Sequence, residues 1–109
     1  MPSGRRWTVQ DRLGNEIYLT HERWQHITEL INHPEMADYE EYLKETIQFG
    51  RRKQDPLNPR KYRYFKVFSE LAEDNTHLFA IVLFRFSEDS SRKLVTNNYI
   101  VTAYQKELG

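Results

Sequence analysis

The stretch that decides the fold is residues 77–86, which reads His-Leu-Phe-Ala-Ile-Val-Leu-Phe-Arg-Phe. Aromatic and β-branched side chains of this kind favour a β-strand. Side chains alternate between the two faces of a strand, and a strand needs to be apolar on both faces only when both are covered. The segment is therefore predicted to be a central strand. One of its faces carries His77, Phe79, Ile81, Leu83 and Arg85.

Two further segments have the composition of strands. Residues 62–68 and 99–104 are also rich in aromatic and β-branched residues, which pack well on a sheet. Residues 87–97 are polar and predict a hairpin loop between the central and the last strand. Because consecutive strands joined by short connections usually pair side by side, antiparallel pairing is the simplest topology.

An additional hairpin is predicted near the N-terminus. The β-rich segments 7–9 and 16–19 flank Leu13, Gly14 and Asn15. Gly and Asn readily adopt the positive φ angles that a tight hairpin turn requires.

A first helix is predicted over residues 21–32. Thr20 can cap its N-terminus, and Trp24, Ile27 and Ile31 form an apolar stripe at helical spacing. His33 should end this helix, because a residue that precedes proline disfavours the α conformation.

A second helix is predicted to extend to Phe49. Apolar side chains recur at helical spacing, and Gly50 is suited to terminate the helix. The residues of this second stripe are Met36, Tyr39, Leu43 and Ile47.

These elements predict one α+β domain over residues 1–109, with a short N-terminal hairpin and two helices packed on a C-terminal antiparallel sheet of three to five strands. The chain has 109 residues, of which 39% are hydrophobic and 29% charged, as in ordinary globular domains. The absence of cysteine excludes a disulfide scaffold and cysteine-ligated metal sites. With neither a signal-like segment nor an apolar run of about 18 residues, a cytoplasmic protein without a membrane partner is expected.

Charge is unevenly distributed although the net charge is zero. Residues 29–45 contain six acids and one lysine, whereas residues 51–66 contain seven bases and one acid. We expect Arg51 to Arg60, with Pro56 and Pro59, to form a basic loop, or a basic loop that begins with a short strand. Basic and aromatic side chains together are suited to RNA phosphates and unpaired bases. The predicted RNA-binding residues are Arg51, Arg52, Lys53, Arg60, Lys61, Tyr62, Arg63 and Tyr64.

A catalytic set can be drawn from the same elements. His26 lies opposite the apolar stripe of the first helix, while Thr102 and Tyr104 share one face of the last strand. With Lys66 or Arg85 as a cation, these groups would supply the base, acid and phosphate-stabilising charge that RNA cleavage through the 2′-hydroxyl requires. No metal and no cofactor is needed for that chemistry.

Two other interpretations use the same residues. The charge asymmetry also suits a non-catalytic regulatory module that binds a protein or a nucleic acid. Alternatively, Glu22, His26 and Glu29, with His33, offer ligands for a divalent ion from one helix, although helical charges three or four residues apart are common on solvated surfaces.

Four short motifs occur in an order that suggests a family. They are Arg-Trp-Gln-His-Ile at 23–27, His-Pro-Glu at 33–35, Tyr-Arg-Tyr-Phe-Lys at 62–66 and Ile-Val-Thr-Ala-Tyr at 100–104. Together they resemble the phage-type branch of the barnase–EndoU–colicin–RelE (BECR) superfamily of metal-independent ribonucleases. The resemblance covers residues 7–104.

The resemblance implies helices ahead of a four-stranded antiparallel sheet, and endoribonuclease activity. It would make His26 the helix-borne catalytic histidine, Lys66 the basic residue of the first sheet strand, and Thr102 and Tyr104 the polar pair of the last strand. His33 would assist. Many members of the superfamily are toxins, so an antitoxin or another inhibitor protein is an expected partner beside RNA.

Overall fold

A single six-stranded sheet organises the protein, for which a computed structural model describes residues 4–108. Its strands are β1 (Arg5–Gln10), β2 (Glu16–Thr20), β3 (Arg51–Asp55), β4 (Asn58–Val67), β5 (His77–Leu83) and β8 (Asn98–Lys106). Between β5 and β8 the chain forms a separate two-stranded ribbon of β6 (Phe86–Glu88) and β7 (Leu94–Thr96). The helices are α1 (His21–Thr28), a 3₁₀ helix (Pro34–Asp38) and α2 (Glu40–Phe49).

The strand order is β1-β2-β8-β5-β4-β3. All neighbours are antiparallel except β2 and β8, which pair in parallel at Ile17–Asn98 and Tyr18–Tyr99. The α+β class and the antiparallel character of the sheet are confirmed. The predicted number of three to five strands is too low, because the N-terminal hairpin joins the sheet through β8 and residues 51–55 add an edge strand.

The helices cover one face of the sheet, here called the covered face. Leu78, Ala80 and Val82 of β5 point to it and are fully buried beneath Leu43 and Ile47 of α2. The opposite side, called the open face, carries the alternate residues of each strand. β5 is thus central, as its two apolar faces predicted, since Phe79 on the open face is also only 5% exposed.

Helix α1 is shorter than predicted. Thr20 caps it as expected, because its hydroxyl accepts a 3.0 Å hydrogen bond from the Arg23 amide, but the helix ends at Thr28. The Asn32 side chain donates to the His26 carbonyl at 2.9 Å, which satisfies part of the early C-terminus. Trp24 and Ile27 are buried, whereas the prediction that Ile31 belongs to the core is wrong: it is 88% exposed.

The second predicted helix is divided in two. Met36 lies in the 3₁₀ helix and Leu43 and Ile47 lie in α2, and all three are fully buried as predicted. Gly50 follows α2 with φ −75° and ψ 172°, so it is not a left-handed cap. Glycine is required there for space, because a Cβ would lie 2.3 Å from the Thr46 carbonyl oxygen and 2.6 Å from that of Phe65.

The predicted basic loop from Arg51 to Arg60 is found in part. A short strand at its start is confirmed as β3 (Arg51–Asp55), whereas residues 58–60, which were expected in the loop, already belong to β4. β3 and β4 form a hairpin in which Lys53 is opposite Arg63. Its turn is held by side chains, with Asp55 accepting from the Leu57 amide at 2.7 Å and Asn58 accepting from the Arg60 amide at 3.0 Å.

The central strand also ends earlier than predicted, at Leu83 rather than Phe86. Residues 85–96 are exposed throughout and include the β6–β7 ribbon where a hairpin loop was expected. Among residues 4–108, no helix has both the length and the apolar character needed to cross a membrane.

Candidate functional site

A row of aromatic rings crosses the open face. Phe65, Phe79 and Tyr104 are direct cross-strand neighbours on β4, β5 and β8. The ring centroids are 5.9 Å apart for the first pair and 5.3 Å for the second, whose rings are nearly parallel at 17°. His33 extends the row, with its ring centroid 5.7 Å from that of Tyr104.

His33 is held in place from both sides along the chain. Its backbone N–H donates a 2.9 Å hydrogen bond to the Ile27 carbonyl, which ties it to the end of α1. On its other side Pro34 begins the 3₁₀ helix, and Glu35 Oε2 lies 3.5 Å from His33 Nδ1. A carboxylate beside Nδ1 favours the tautomer protonated there, which leaves Nε2 able to accept a proton.

Cationic side chains lie beside the aromatic row. The Arg63 guanidinium stands 5.3 Å from the centre of the Phe79 ring. Lys53, Lys61 and Arg63 line a cavity of about 260 Å³ together with Tyr104. Asp55 lies 3.8 Å from Lys61 and neutralises part of this charge, so the cavity keeps a positive balance.

Thr102 belongs to the neighbouring row of the open face. Arg63, Ile81 and Thr102 are direct cross-strand neighbours on the same three strands. A β-bulge in β8 near Val101 separates Thr102 from Ile100, which points to the core. Thr102 and Tyr104 therefore lie on the open face as a pair. Their neighbours on β5 are Ile81 and Phe79, and Arg63 on β4 lies beyond Ile81.

His26 lies at a different place on the same side of the molecule. The pairing of β2 with β8 is limited to Ile17–Asn98 and Tyr18–Tyr99, and β2 leads directly into α1. A cavity of about 670 Å³ is lined by residues of these three elements, among them Tyr18, Tyr99, Gln25, His26 and Glu29. Thr102 and Tyr104 do not line it, so His26 and that pair are not brought into one cavity.

Lys66 and Arg85 do not join Thr102 and Tyr104, contrary to the prediction. Lys66 is paired with Leu78 and points to the covered side, where its Nζ lies 4.4 Å from the centre of the Phe68 ring. Arg85 follows the end of β5 and is exposed, with its carbonyl accepting a 2.7 Å hydrogen bond from Asn97. The alternation along β4 puts Arg63, not Lys66, on the face that carries Thr102, in the same cross-strand row and separated from it by Ile81 of β5.

The predicted RNA-binding residues divide between the two faces. Arg51, Lys53, Lys61 and Arg63 alternate onto the open face, whereas Arg52, Tyr62 and Tyr64 point to the covered side. Arg60 is exposed at the start of β4.

Tyr62 and Tyr64 are already engaged on the covered side. The Arg52 guanidinium lies 4.2 Å from the Tyr62 ring. Tyr64 is 1% exposed, which excludes it from stacking on a base.

The environment of Tyr64 could not be predicted from the sequence. Its hydroxyl donates a 2.5 Å hydrogen bond to the carboxylate of Asp11, which is itself buried in the β1–β2 turn. Burial raises the pKa of Tyr64 well above its usual range, with the bond to Asp11 as the next cause. For Asp11, burial opposes ionisation, but the hydrogen bonds from Tyr64, Asn15 and Leu13 outweigh it and lower its pKa.

Two other contributors to the open face were also missed. Phe79 and Glu35 were not assigned a role, although Glu35 belongs to the His-Pro-Glu motif that the sequence displayed. The spacing of Glu35, two residues after His33, was the available signal. No signal in the sequence indicated that Phe79 lies beside Tyr104, because that position depends on strand register.

The described part of the chain contains no group of three or more His, Asp or Glu side chains arranged to hold a metal ion. The arrangement of Glu22, His26 and Glu29 as ligands for a divalent ion is therefore not found. Comparison with protein-family models, curated proteins and solved structures finds no match to this chain. The resemblance to the BECR superfamily stays a prediction.

Proposed function

We propose that this protein is a metal-independent endoribonuclease whose active site lies on the open face, around His33, Tyr104 and Arg63. One observation carries the proposal: the His33 ring packs against Tyr104 at the end of an aromatic row, beside a cavity lined by three cationic side chains. Proton transfer, base stacking and phosphate binding are thus available within one continuous surface.

The chemistry follows from these groups. A base removes the proton of the RNA 2′-hydroxyl, the resulting oxygen attacks the adjacent phosphorus, and the bond from phosphorus to the 5′-oxygen breaks as that oxygen gains a proton. The products are a 2′,3′-cyclic phosphate and a 5′-hydroxyl. We assign the base to His33, whose Nε2 is left free by Glu35, and the stabilisation of the crowded phosphate to Arg63 and Lys53.

Tyr104 and Thr102 would position the substrate. Tyr104 is partly exposed, so its ring can stack on an unpaired base while its hydroxyl contacts the phosphate. Thr102, on the neighbouring row, offers a second hydroxyl. This arrangement keeps the Thr102–Tyr104 pair of the sequence-based hypothesis and replaces Lys66 by Arg63 as the cation.

A second proton-transfer group is proposed as an alternative. His26 opens into the large cavity on the same side of the sheet, so a substrate that crosses the open face can also reach it. The original assignment of His26 as catalytic histidine therefore has to be tested against the assignment of His33.

The test is cleavage of a fluorescent single-stranded RNA in the presence of EDTA. We expect cleavage by the wild type, and a rate lowered by roughly 10²- to 10⁴-fold in His33→Gln. RNA that is 2′-O-methylated should be bound but not cleaved. If His33→Gln cleaves RNA at the wild-type rate and His26→Gln is much slower, the general base is His26 and not His33.

Two variants of one strand provide a matched control for the phosphate contact. Arg63→Gln removes a cation from the open face of β4, whereas Lys66→Gln removes one from its covered side. Circular dichroism should show that both variants are folded. We expect only Arg63→Gln to lower the rate of cleavage strongly.

The non-catalytic alternative rests on the same surface, since cations and aromatic rings suffice for binding without proton transfer. Binding of RNA by the wild type without any cleavage would favour a nucleic-acid-binding module. If the protein neither binds nor cleaves RNA, both proposed functions are excluded.

A further inference from the structure

Two arginines border a cavity at the edge of the sheet, outside the proposed cleavage site. The cavity measures about 400 Å³ and lies where α2 ends and β3 begins, because Phe49, Gly50 and Arg51 line it. Arg12, in the β1–β2 turn, lines it as well. Pockets of roughly 300–1,000 Å³ are typical of small-ligand sites. An adjoining cavity of about 410 Å³ is also lined by Arg12 and Arg51, so both arginines border the two cavities.

The positive charges at this cavity are not balanced by acids. No carboxylate lines the cavity, and within residues 4–108 neither Arg12 nor Arg51 forms an ion pair. Asp11 is the one acid that lines the adjoining cavity. Its carboxylate already accepts hydrogen bonds from Tyr64 and from two backbone amides. Like charges at one cavity repel each other, and a bound anion would remove that repulsion.

A histidine adds a hydrogen-bond donor to the same cavity. His77 lines it from β5, and its Nδ1 lies 2.7 Å from the hydroxyl of Thr76. That hydroxyl accepts from the Leu108 amide at 3.0 Å. For its own proton, Nδ1 of His77 is a closer acceptor than the Lys106 carbonyl at 3.5 Å. When Nδ1 accepts, the proton of the neutral imidazole is on Nε2, which can then donate to an anion.

Exposed apolar side chains lie at the same cavity. Phe49 and Val67 both line it, and each is 62% exposed. An apolar patch beside a few polar groups is typical of a ligand site. Lys66 also lines the cavity, but its ammonium lies against the Phe68 ring, 4.4 Å from the ring centre. The lining therefore suits an anion that carries an apolar or aromatic organic part.

We propose that this cavity binds a phosphate monoester, with Arg12 and Arg51 holding the phosphate, His77 donating to it and Phe49 packing against the organic part. At pH 7 a phosphate monoester carries a charge of about −1.5 to −2 and three terminal oxygens. These match two guanidinium groups and one imidazole. A phosphodiester or a carboxylate has a single charge and two free oxygens, so it matches less well. The inference goes beyond the proposed function, because this group is bound and not cleaved.

The phosphate monoester can belong to a small molecule or to the end of an RNA strand. Phe65 is part of both the aromatic row of the open face and the lining of the cavity. A strand that crosses the open face can therefore bring a terminal phosphate to Arg12 and Arg51. A nucleotide free in solution presents the same group, and the experiment separates the two sources.

The experiment measures by calorimetry the binding of AMP and of three 2′-O-methylated RNA strands of one sequence, with a 5′-phosphate, a 3′-phosphate or neither. We expect the wild type to bind AMP and to prefer a phosphorylated strand. Arg12→Gln should weaken the phosphate-dependent binding by about 10- to 150-fold, the equivalent of one charged hydrogen-bonded contact. Arg92→Gln is the matched control, because Arg92 is an exposed arginine between two hairpin strands and lines neither cavity.

Binding of AMP that depends on Arg12 would support the site and identify a small molecule as a ligand. A preference for one phosphorylated strand that depends on Arg12, without binding of AMP, would support the site with the RNA terminus as its ligand. Equal affinity for all three strands without binding of AMP would overturn the proposal, as would phosphate-dependent binding that Arg12→Gln leaves unchanged. None of these outcomes decides whether His33→Gln abolishes cleavage, so the two proposals can fail separately.

Discussion

The Tyr64 hydroxyl donates a 2.5 Å hydrogen bond to Asp11 Oδ2, although 53 residues separate the two along the chain. Asp11 also accepts from the amides of Leu13 and Asn15, so one carboxylate organises the β1–β2 turn and fastens it to β4. Both side chains are buried. The open face depends on this bond indirectly, since β4 carries Arg63 and Phe65 on its other side.

We predict that Tyr64→Phe lowers the free energy of unfolding by about 1–3 kcal/mol, because it removes the donor from a buried carboxylate. Urea denaturation at pH 7 measures the change. Tyr62→Phe is the matched control on the same face of β4, since the Tyr62 hydroxyl makes no hydrogen bond within residues 4–108. Equal losses in the two variants would contradict the role of the bond.

Acid should destabilise the protein through Asp11 and Glu40. Hydrogen bonding by Arg6 is the largest cause that lowers the pKa of Glu40, and Trp7 donates to the same carboxylate at 2.8 Å. For both residues the folded pKa lies below the unfolded one, so their contribution is complete above the ordinary carboxyl value of about 4. It is lost as the pH falls from there through the lowered folded pKa.

The measurement for this acid effect is the free energy of unfolding between pH 7 and pH 3. Glu40→Gln should be less stable than the wild type at pH 7 and should lose less stability on acidification. A variant whose pH profile runs parallel to that of the wild type would show that Glu40 does not contribute.

We predict that Gly50→Ala costs about 1–3 kcal/mol or more, as overpacking does. The added methyl group would meet two backbone carbonyl oxygens, which cannot move away as a flexible side chain can. Gly4→Ala is the control, because no atom lies within 4 Å of a Cβ at that position. Thermal unfolding of the two variants distinguishes them, and a neutral Gly50→Ala would refute the close packing of α2 against β4.

Ile31 and Ile27 should respond very differently to truncation. Ile27→Ala removes a fully buried side chain and should cost about 2–5 kcal/mol. Ile31→Ala changes a side chain that is 88% exposed and should stay within about 0.5 kcal/mol of the wild type. A large loss in Ile31→Ala would mean that α1 continues to residue 32, as its apolar spacing predicts.

Binding of RNA to the open face should depend on salt. For single strands, each phosphate contact contributes about 0.7 to the slope of log affinity against log salt concentration. Lys53→Gln should therefore flatten the slope by about that amount. Lys93→Gln, in the exposed β6–β7 ribbon, should leave it unchanged. An affinity for RNA that does not change with salt would show that these cations do not contact phosphates.

The local elements could be predicted because their causes are local. Thr20 and the alternation in residues 77–83 identified a helix start and a central strand. Where the prediction differs from the structure, a local hydrogen bond is the reason. Asn32 ends α1 early by donating to the His26 carbonyl. Asp55 and Asn58 accept hydrogen bonds in a tight turn, so residues 51–60 form a hairpin instead of a loop.

The candidate site could be predicted only in part. Alternation within β8 put Thr102 and Tyr104 on one face, because that rule needs no partner strand. Which cation shares their face depends on the register between β4 and β5. A shift of one residue would turn Arg63 to the covered side and Lys66 to the open face. Phe79 and His33 approach Tyr104 for the same long-range reason.

The amino-acid sequence by itself determined the α+β class, the two helices, the central strand and the residues available for acid–base and phosphate chemistry. Only the tertiary structure decided that the N-terminal hairpin joins the sheet beside β8, and that His33, Tyr104 and Arg63 share one surface while Lys66 lies on the other. The physical reason is range: capping and periodicity act over a few residues, whereas strand pairing joins residues whose positions along the chain carry no mark of their contact.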